Sequence, residues 1–259
     1  MITWTWIRNT VRNTLRKTFL VKTVLSFLPK SNATPSLCLI TATRLDKEEF
    51  WKTSALGQSL APLISPTISI DVRFENTDGL PEVYNSAIKS RTEDILVFLH
   101  DDVWIEDDLF VEKIIKATKV FDIVGVAGNR RISKRQPAWL FSGIENNRFI
   151  WDHAYLSGSV RHGTPGQSSI MRYGPTPATC RLLDGVLLAA KKSALTHSSV
   201  LFDERFEFHF YDLDFCRVAS DRGLNLGTWP IDLIHLSGGA FGSESWQVGY
   251  AQYLRKWKT

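Results

Sequence analysis

The chain has 259 residues, with 31 Lys and Arg against 27 Asp and Glu for a net charge of +4, and is 44% hydrophobic and 22% charged. This is the composition of a soluble globular domain long enough to bury a sizeable single core. The positive charge sits in one segment: residues 1–30 hold six cations and no acid, leaving 25 basic against 27 acidic residues in the rest, which excludes a globally basic nucleic-acid surface. Cys38, Cys180 and Cys216 are odd in number and scattered. They exclude a disulfide framework or Cys-based zinc site, fit a reducing compartment and set the expectation of a cytoplasmic protein.

In chain order, Trp4, Trp6, Ile7, Val11, Leu15, Phe19, Leu20, Val24 and Phe27 recur at roughly helical spacing with cations between them. The pattern predicts a basic amphipathic N-terminal helix over residues 1–34. It either lies on an anionic membrane surface as a peripheral contact or docks on protein, and its apolar runs fall short of the ~20 residues a spanning helix needs. From residue 35 to 259 one domain is expected. Leu37 to Ala42 reads as a strand, Lys47 to Leu56 as a helix and Thr67 to Phe74 as a second strand followed by turn residues. Pro81 opens a helix through Ile88, as proline does at a first turn. Leu109 to Phe121 reads as a further helix and Ile123 to Ala127 as a buried strand, an alternation that predicts an α/β fold with a mainly parallel central sheet flanked by helices. Gly128 to Thr179 breaks the rhythm and is expected to be a functional loop or lid. Leu182 to Ala190 is apolar around Asp184 and Gly185, a helix runs from about Asp212 to Arg222, and a final strand pair, Leu224 to Trp229 and Ile231 to Leu236, ends at His235 and a glycine-rich segment expected to close over a ligand.

The most informative stretch runs from Ile95 to Val103, where five apolar residues and His100 lead into Asp101 and Asp102. It reads as a buried strand delivering acid to its carboxyl end, where open α/β sheets bind ligands. Two close carboxylates repel unless a cation lies between them, and Mg²⁺ or Mn²⁺ uses few protein carboxylates and shares its shell with water and phosphates. Capping accounts for Asp107 and Asp108 before the next helix but not for the earlier pair.

Three acidic or imidazole groups thus stand at element boundaries: Asp101-Asp102, Tyr211-Asp212-Leu213-Asp214 and His235. In this order the chain resembles the family 2-like glycosyltransferases of the GT-A, nucleotide-diphospho-sugar transferase fold, from about Leu37 to Trp246. Leu99-His100-Asp101-Asp102 is similar to the Asp-x-Asp region that holds the donor's diphosphate through a divalent cation. Leu183-Asp184-Gly185 and Leu201 to Phe206 are similar to the stretch leading to the catalytic acidic motif. Phe210 to Arg217 resembles the Glu-Asp-x-Asp helix start, His235 a histidine that completes the metal shell in some members, and Gly79 to Asn85 an Asn-containing segment ahead of the metal strand. Two positions depart from the pattern: His100 stands where many members have the first Asp, and Tyr211 where they have Glu.

The resemblance implies a single GT-A domain that moves a sugar from a nucleotide-diphosphate donor to a glycan or lipid-linked acceptor, using Mn²⁺ or Mg²⁺. It implies Asp102 as principal metal ligand, Asp101 as ligand or hydrogen-bonding neighbour, and His235 as a third ligand. Asp212 is the expected base of an inverting reaction, with Asp214 holding the acceptor or backbone. Thr41, Thr43, Arg44, Glu75 and Asn76 are expected at the nucleoside end, with Asn85, His100, Asp101 and Asp184 as further donor contacts. Arg130 and Arg131 either pair with phosphate or are ordinary surface charge, and Trp139, Phe141, Trp151 and Tyr155 either stack on an acceptor sugar or pack under the long loop. Two rival readings use the same residues: a metal-dependent nucleotide-sugar phosphoesterase, and a non-catalytic glycan- or nucleotide-binding module.

Overall fold

The computed structural model describes residues 34–238, apart from 64 and 66, and 241–258. The chain divides into two units, Met1–Thr34 and Pro35–Thr259, and all the elements below belong to the second. The expected N-terminal helix lies outside the described residues.

The first half of the unit alternates strands and helices: β1 (Leu37–Ala42), α1 (Lys47–Thr53), α2 (Ala55–Leu60), β2 (Ile68–Arg73), α3 (Leu80–Ser90), β3 (Ile95–Leu99), β4 (Val103–Ile105), α4 (Phe110–Val120), β5 (Ile123–Gly125) and β6 (Ala127–Asn129). Every residue of β1 and β3 is buried, as near-continuous apolar strands covered on both faces require. Local chemistry sets the helix starts. Asp46 accepts from the Glu49 N–H at 2.9 Å to cap α1, and α3 carries proline in its first turn, where no backbone donor is lost.

The second half holds β7 (Phe141–Glu145), β8 (Arg148–Trp151), β9 (Leu156–Thr164), β10 (Gln167–Gly174), β11 (Ala178–Cys180), β12 (Leu182–Leu183), β13 (Leu187–Lys191), α5 (Lys192–His197), α6 (Tyr211–Asp221), β14 (Leu226–Thr228), β15 (Leu233–His235) and α7 (Glu244–Trp257). The main sheet is ordered β11-β14-β5-β13-β3-β1-β2. Strands β2, β1, β3, β5 and β14 run one way and β13 and β11 the other, so the expected mainly parallel sheet is present with two reversed strands. A second sheet is ordered β12-β6-β9-β15-β4, with β10 paired to β9, and β7 and β8 form a separate hairpin.

Three expectations change. The stretch from Gly128 to Thr179 is largely strand, because β9 and β10 pair over most of their length and β9 joins β6 and β15. The apolar run from Leu182 to Ala190 is two strands in different sheets, broken by a turn at Asp184 and Gly185. The expected final pair separates, β14 adding to the main sheet and β15 to the second, since each finds its partner elsewhere in the chain. Helix α7 had not been anticipated. Ser243 accepts from the Trp246 N–H at 3.2 Å to cap it, and Trp246 and Tyr253 are buried along it.

Candidate active site

The two sheets meet at the end of β3 and each delivers one side of the site. In the main sheet β13 runs antiparallel to β3 with Leu187 opposite Leu99, and the His100 N–H continues the ladder to the Val186 carbonyl at 3.3 Å. The turn at Asp184 and Gly185 is thereby set against His100. In the second sheet β15 lies antiparallel to β4 with His235 opposite Val103, and the Leu236 N–H donates to the Asp102 carbonyl at 3.0 Å. Residues more than a hundred positions apart in sequence thus converge on a cleft of about 790 Å³.

Within it, Asp102 Oδ1 lies 3.2 Å from His235 Nε2 and 4.0 Å from His100 Nδ1. Each of the three residues offers a ligand atom within 4.8 Å of the other two. Among the described residues no Lys or Arg pairs with Asp102, and the side chains that approach its Oδ1 are the two imidazoles. Two ligand atoms about 2.1 Å from one ion stand about 3 Å apart at a right angle and about 4.2 Å apart when opposed, and both separations at Asp102 fall in that interval. The donor set therefore fits a divalent cation. Burial works to raise the Asp102 carboxyl, but the hydrogen bond and charge of His235 and then His100 hold it well below the usual carboxylate range. Burial likewise opposes charge on His235, yet Asp102 outweighs it and the imidazole is raised; on His100 burial prevails and lowers it. Ser237 Oγ lies 3.1 Å from His235 Nε2.

Asp212 enters from the first turn of α6. Its Oδ2 accepts from the Gly185 N–H at 3.1 Å and its Oδ1 from the Leu213 N–H at 2.9 Å. Burial, reinforced by the Asp184 carboxylate, nevertheless pushes this carboxyl up to about 7. A carboxyl held near neutrality thus lines the same cleft as His100, Asp102 and His235.

The remaining candidates divide by position. Thr43, Arg44, Asn76, Asp101 and Asp184 line the cleft, as do His100, Asp102, Asp212 and His235. Thr41, Glu75, Asn85 and Asp214 do not. Thr41 is buried in β1, and Glu75 is an exposed turn residue with φ of 49°. Asn85 is spent on structure: it accepts from the Phe202 N–H at 2.9 Å and donates to the Phe202 carbonyl and Glu204 Oε1, both at 2.9 Å. The expected donor contact of Asn85 is therefore replaced by a clamp between α3 and the 202–204 segment.

Asp214 is fully buried and faces α7, where Lys256 Nζ donates at 2.8 Å and Trp257 Nε1 at 2.9 Å. This is an anchor for α7, and the expected role in holding the acceptor gives way to it. Lys256→Met should cost about 3–5 kcal/mol, because it strands a buried carboxylate. Denaturant unfolding of the two proteins measures the difference, and a midpoint within error of the parent would show that the carboxylate is satisfied otherwise.

Arg131 grips Asp152 through Nε at 2.9 Å and Nη2 at 2.6 Å and stacks over Tyr155, while Arg130 donates to the Ala154 carbonyl at 2.6 Å. Neither lines the cleft, so the phosphate-pairing alternative for this pair falls away. Of the four loop aromatics only Trp139 lines it, packed edge-on to Tyr173 at 4.8 Å between centroids. Sequence reasoning missed Trp104, His162, Tyr173, Phe208, Phe241 and Trp246 in the cleft lining. His162 arrives because β9 pairs with β15 so that it stands opposite His235, a register that no local pattern encodes.

A family described as "Glycosyltransferase like family" matches residues 67–230. No curated protein matches the chain. Among solved structures, that of S. aureus TarS, residues 1–349, is similar at 12% identity with a TM-score of 0.45, covering 78% of this chain. The match spans 60% of the TarS structure.

Proposed function

Since the chain belongs to this glycosyltransferase-like family, we propose that it transfers a sugar from a nucleotide-diphosphate donor to a hydroxyl of a glycan or lipid-linked acceptor, with inversion, in the cleft at the end of β3. The observation that carries the reading is the convergence of two unlike functions in one cavity: a His100, Asp102 and His235 cluster that suits a divalent cation, and an Asp212 carboxyl raised to about 7. Asp102 and His235 would hold Mn²⁺ or Mg²⁺. When bound, such a cation offsets the charge that grows on the leaving diphosphate. Thr43, Arg44 and Asn76 line the cleft on the β1 side and offer contacts to the nucleoside, while Asp101 and Asp184 offer acceptors to donor hydroxyls. Asp212 takes the proton of the attacking hydroxyl, orienting it through a carboxylate that two backbone N–H groups hold in place. Trp139, Phe208 and Phe241 supply apolar faces on which an acceptor ring can stack.

Product analysis with a panel of nucleotide sugars, each with Mn²⁺ or Mg²⁺, tests the assignment. A glycosylated acceptor and free nucleoside diphosphate are expected; cleavage in water alone at the same rate with and without acceptor would favour a phosphoesterase. The N-terminal segment enters the same reading as a peripheral contact with anionic membrane, placing the cleft near a lipid-linked acceptor. Deleting residues 1–30 should abolish salt-sensitive sedimentation with anionic vesicles. Full-length protein that ignores such vesicles at low salt would remove the membrane from the proposal.

No helix among the described residues is long and apolar enough to cross a membrane. All three cysteines are free and buried.

A further inference from the structure

His100 and Tyr211 touch each other. His100 Nε2 lies 2.8 Å from Tyr211 Oη, and Tyr211 Oη donates to the Gly185 carbonyl at 3.1 Å. A carbonyl only accepts, so the single phenolic proton points at Gly185 and the phenolic oxygen accepts from His100. That assigns the His100 proton to Nε2 from the hydrogen-bond network. Nδ1 is left with its lone pair, makes no hydrogen bond among the described residues, and stands 4.0 Å from Asp102 Oδ1, too far for a hydrogen bond and suited to sharing an ion. Gly185 is part of the device: a Cβ there would sit 2.3 Å from Tyr211 Oη, so a side chain at 185 would push the tyrosine off its carbonyl. Phe208 stacks on the imidazole, with centroids 6.0 Å apart.

We propose that Tyr211 is a positioning residue that fixes His100 as a nitrogen ligand of the cation, giving this enzyme a two-imidazole, one-carboxylate shell that selects Mn²⁺ over Mg²⁺. The inference rests on the cation-binding reading above and deepens it by naming the ligand set and the metal class. Mn²⁺ also favours oxygen, but as a first-row transition ion it accepts imidazole nitrogen more readily than Mg²⁺, which is held almost wholly by oxygen. The histidine and the tyrosine make sense as a pair. An imidazole at 100 needs its second nitrogen satisfied, and a phenol at 211 does that where a carboxylate would add a further negative charge beside Asp184 and Asp212.

The test uses the full-length protein with Mn²⁺ alone and Mg²⁺ alone, read by electron spin-echo spectroscopy and calorimetry. Bound Mn²⁺ should show nitrogen couplings from two imidazoles in the parent and one in His100→Ala. Tyr211→Phe, which keeps the ring, should weaken Mn²⁺ binding by about tenfold to a hundredfold, the usual effect of losing outer support to a ligand. His100→Asp should move the Mn²⁺ to Mg²⁺ affinity ratio towards Mg²⁺ by about tenfold or more. A single coupled nitrogen in the parent, with Mn²⁺ binding still abolished by Asp102→Asn, would overturn the proposal while leaving the cation site standing. Unchanged affinity in Tyr211→Phe, or an unchanged ratio in His100→Asp, would also overturn it. A parent that binds no Mn²⁺ would overturn both the proposal and the reading beneath it.

Discussion

Asp102→Asn is expected to abolish cation-dependent donor binding while leaving the fold in place. The carboxylate is the one anionic member of the candidate cluster, and its Oδ1 is the atom common to both imidazole contacts. Asparagine keeps an oxygen that accepts from His235 and keeps the side-chain volume, so neither the β4 and β15 pairing nor the backbone bond from Leu236 is disturbed. What disappears is the negative charge, and two neutral imidazoles with an amide hold a hard divalent ion poorly. The loss should exceed the tenfold to hundredfold typical of outer-shell changes. Titration calorimetry with a nucleoside diphosphate, run with Mn²⁺ and then with chelator, measures it. Parent-like affinity for nucleotide plus metal would show that the ion, if any, is held elsewhere.

How much of this was legible beforehand follows from the range of the interactions. The β1, β3 and α3 elements declare themselves locally, through apolar runs and a proline at a helix start, and their predicted limits lie within a residue or two of those observed. Asp102, Asp212 and His235 could be picked out because each sits where a regular element begins or ends. Their convergence, the role of His100 and the place of Tyr173 and His162 depend on which strands pair, and β9 pairs with β6, β10 and β15 from three parts of the chain. Asn85 and Asp214 serve the fold rather than the cleft for one reason. Both are polar residues close to a motif, and their partners, Phe202 and Glu204 for one and Lys256 and Trp257 for the other, lie 42 to 119 residues away. Helix α7 did leave a signal, since Trp246, Tyr250, Tyr253, Leu254 and Trp257 recur at helical spacing after a serine cap.

Asp212→Asn should lower turnover by about 10² to 10⁴-fold with donor affinity nearly unchanged, the range expected when general-base assistance is removed from a transition state. Its carboxyl is held by the Gly185 and Leu213 N–H groups rather than by His100, Asp102 or His235, which is why donor binding should survive. The same residue should leave a signature in stability. Burial and the Asp184 carboxylate raise it to about 7 from an ordinary 3.8, so the folded chain keeps a proton through a window in which the unfolded chain has released it. Stability therefore falls as pH rises across that window, and the cost is complete above about pH 7. Asparagine cannot ionise, so the melting temperature of Asp212→Asn relative to the parent should rise from pH 4 to pH 8. Activity should show the reverse side of the same equilibrium: kcat/KM of the parent climbs with pH towards a plateau above about 7, and that limb is missing from the variant. A variant with near-parental turnover on a verified acceptor would take Asp212 out of the base role. Asp214 could not replace it, being closed off against Lys256 and Trp257, and the reaction would then have to proceed without a carboxylate base from this helix.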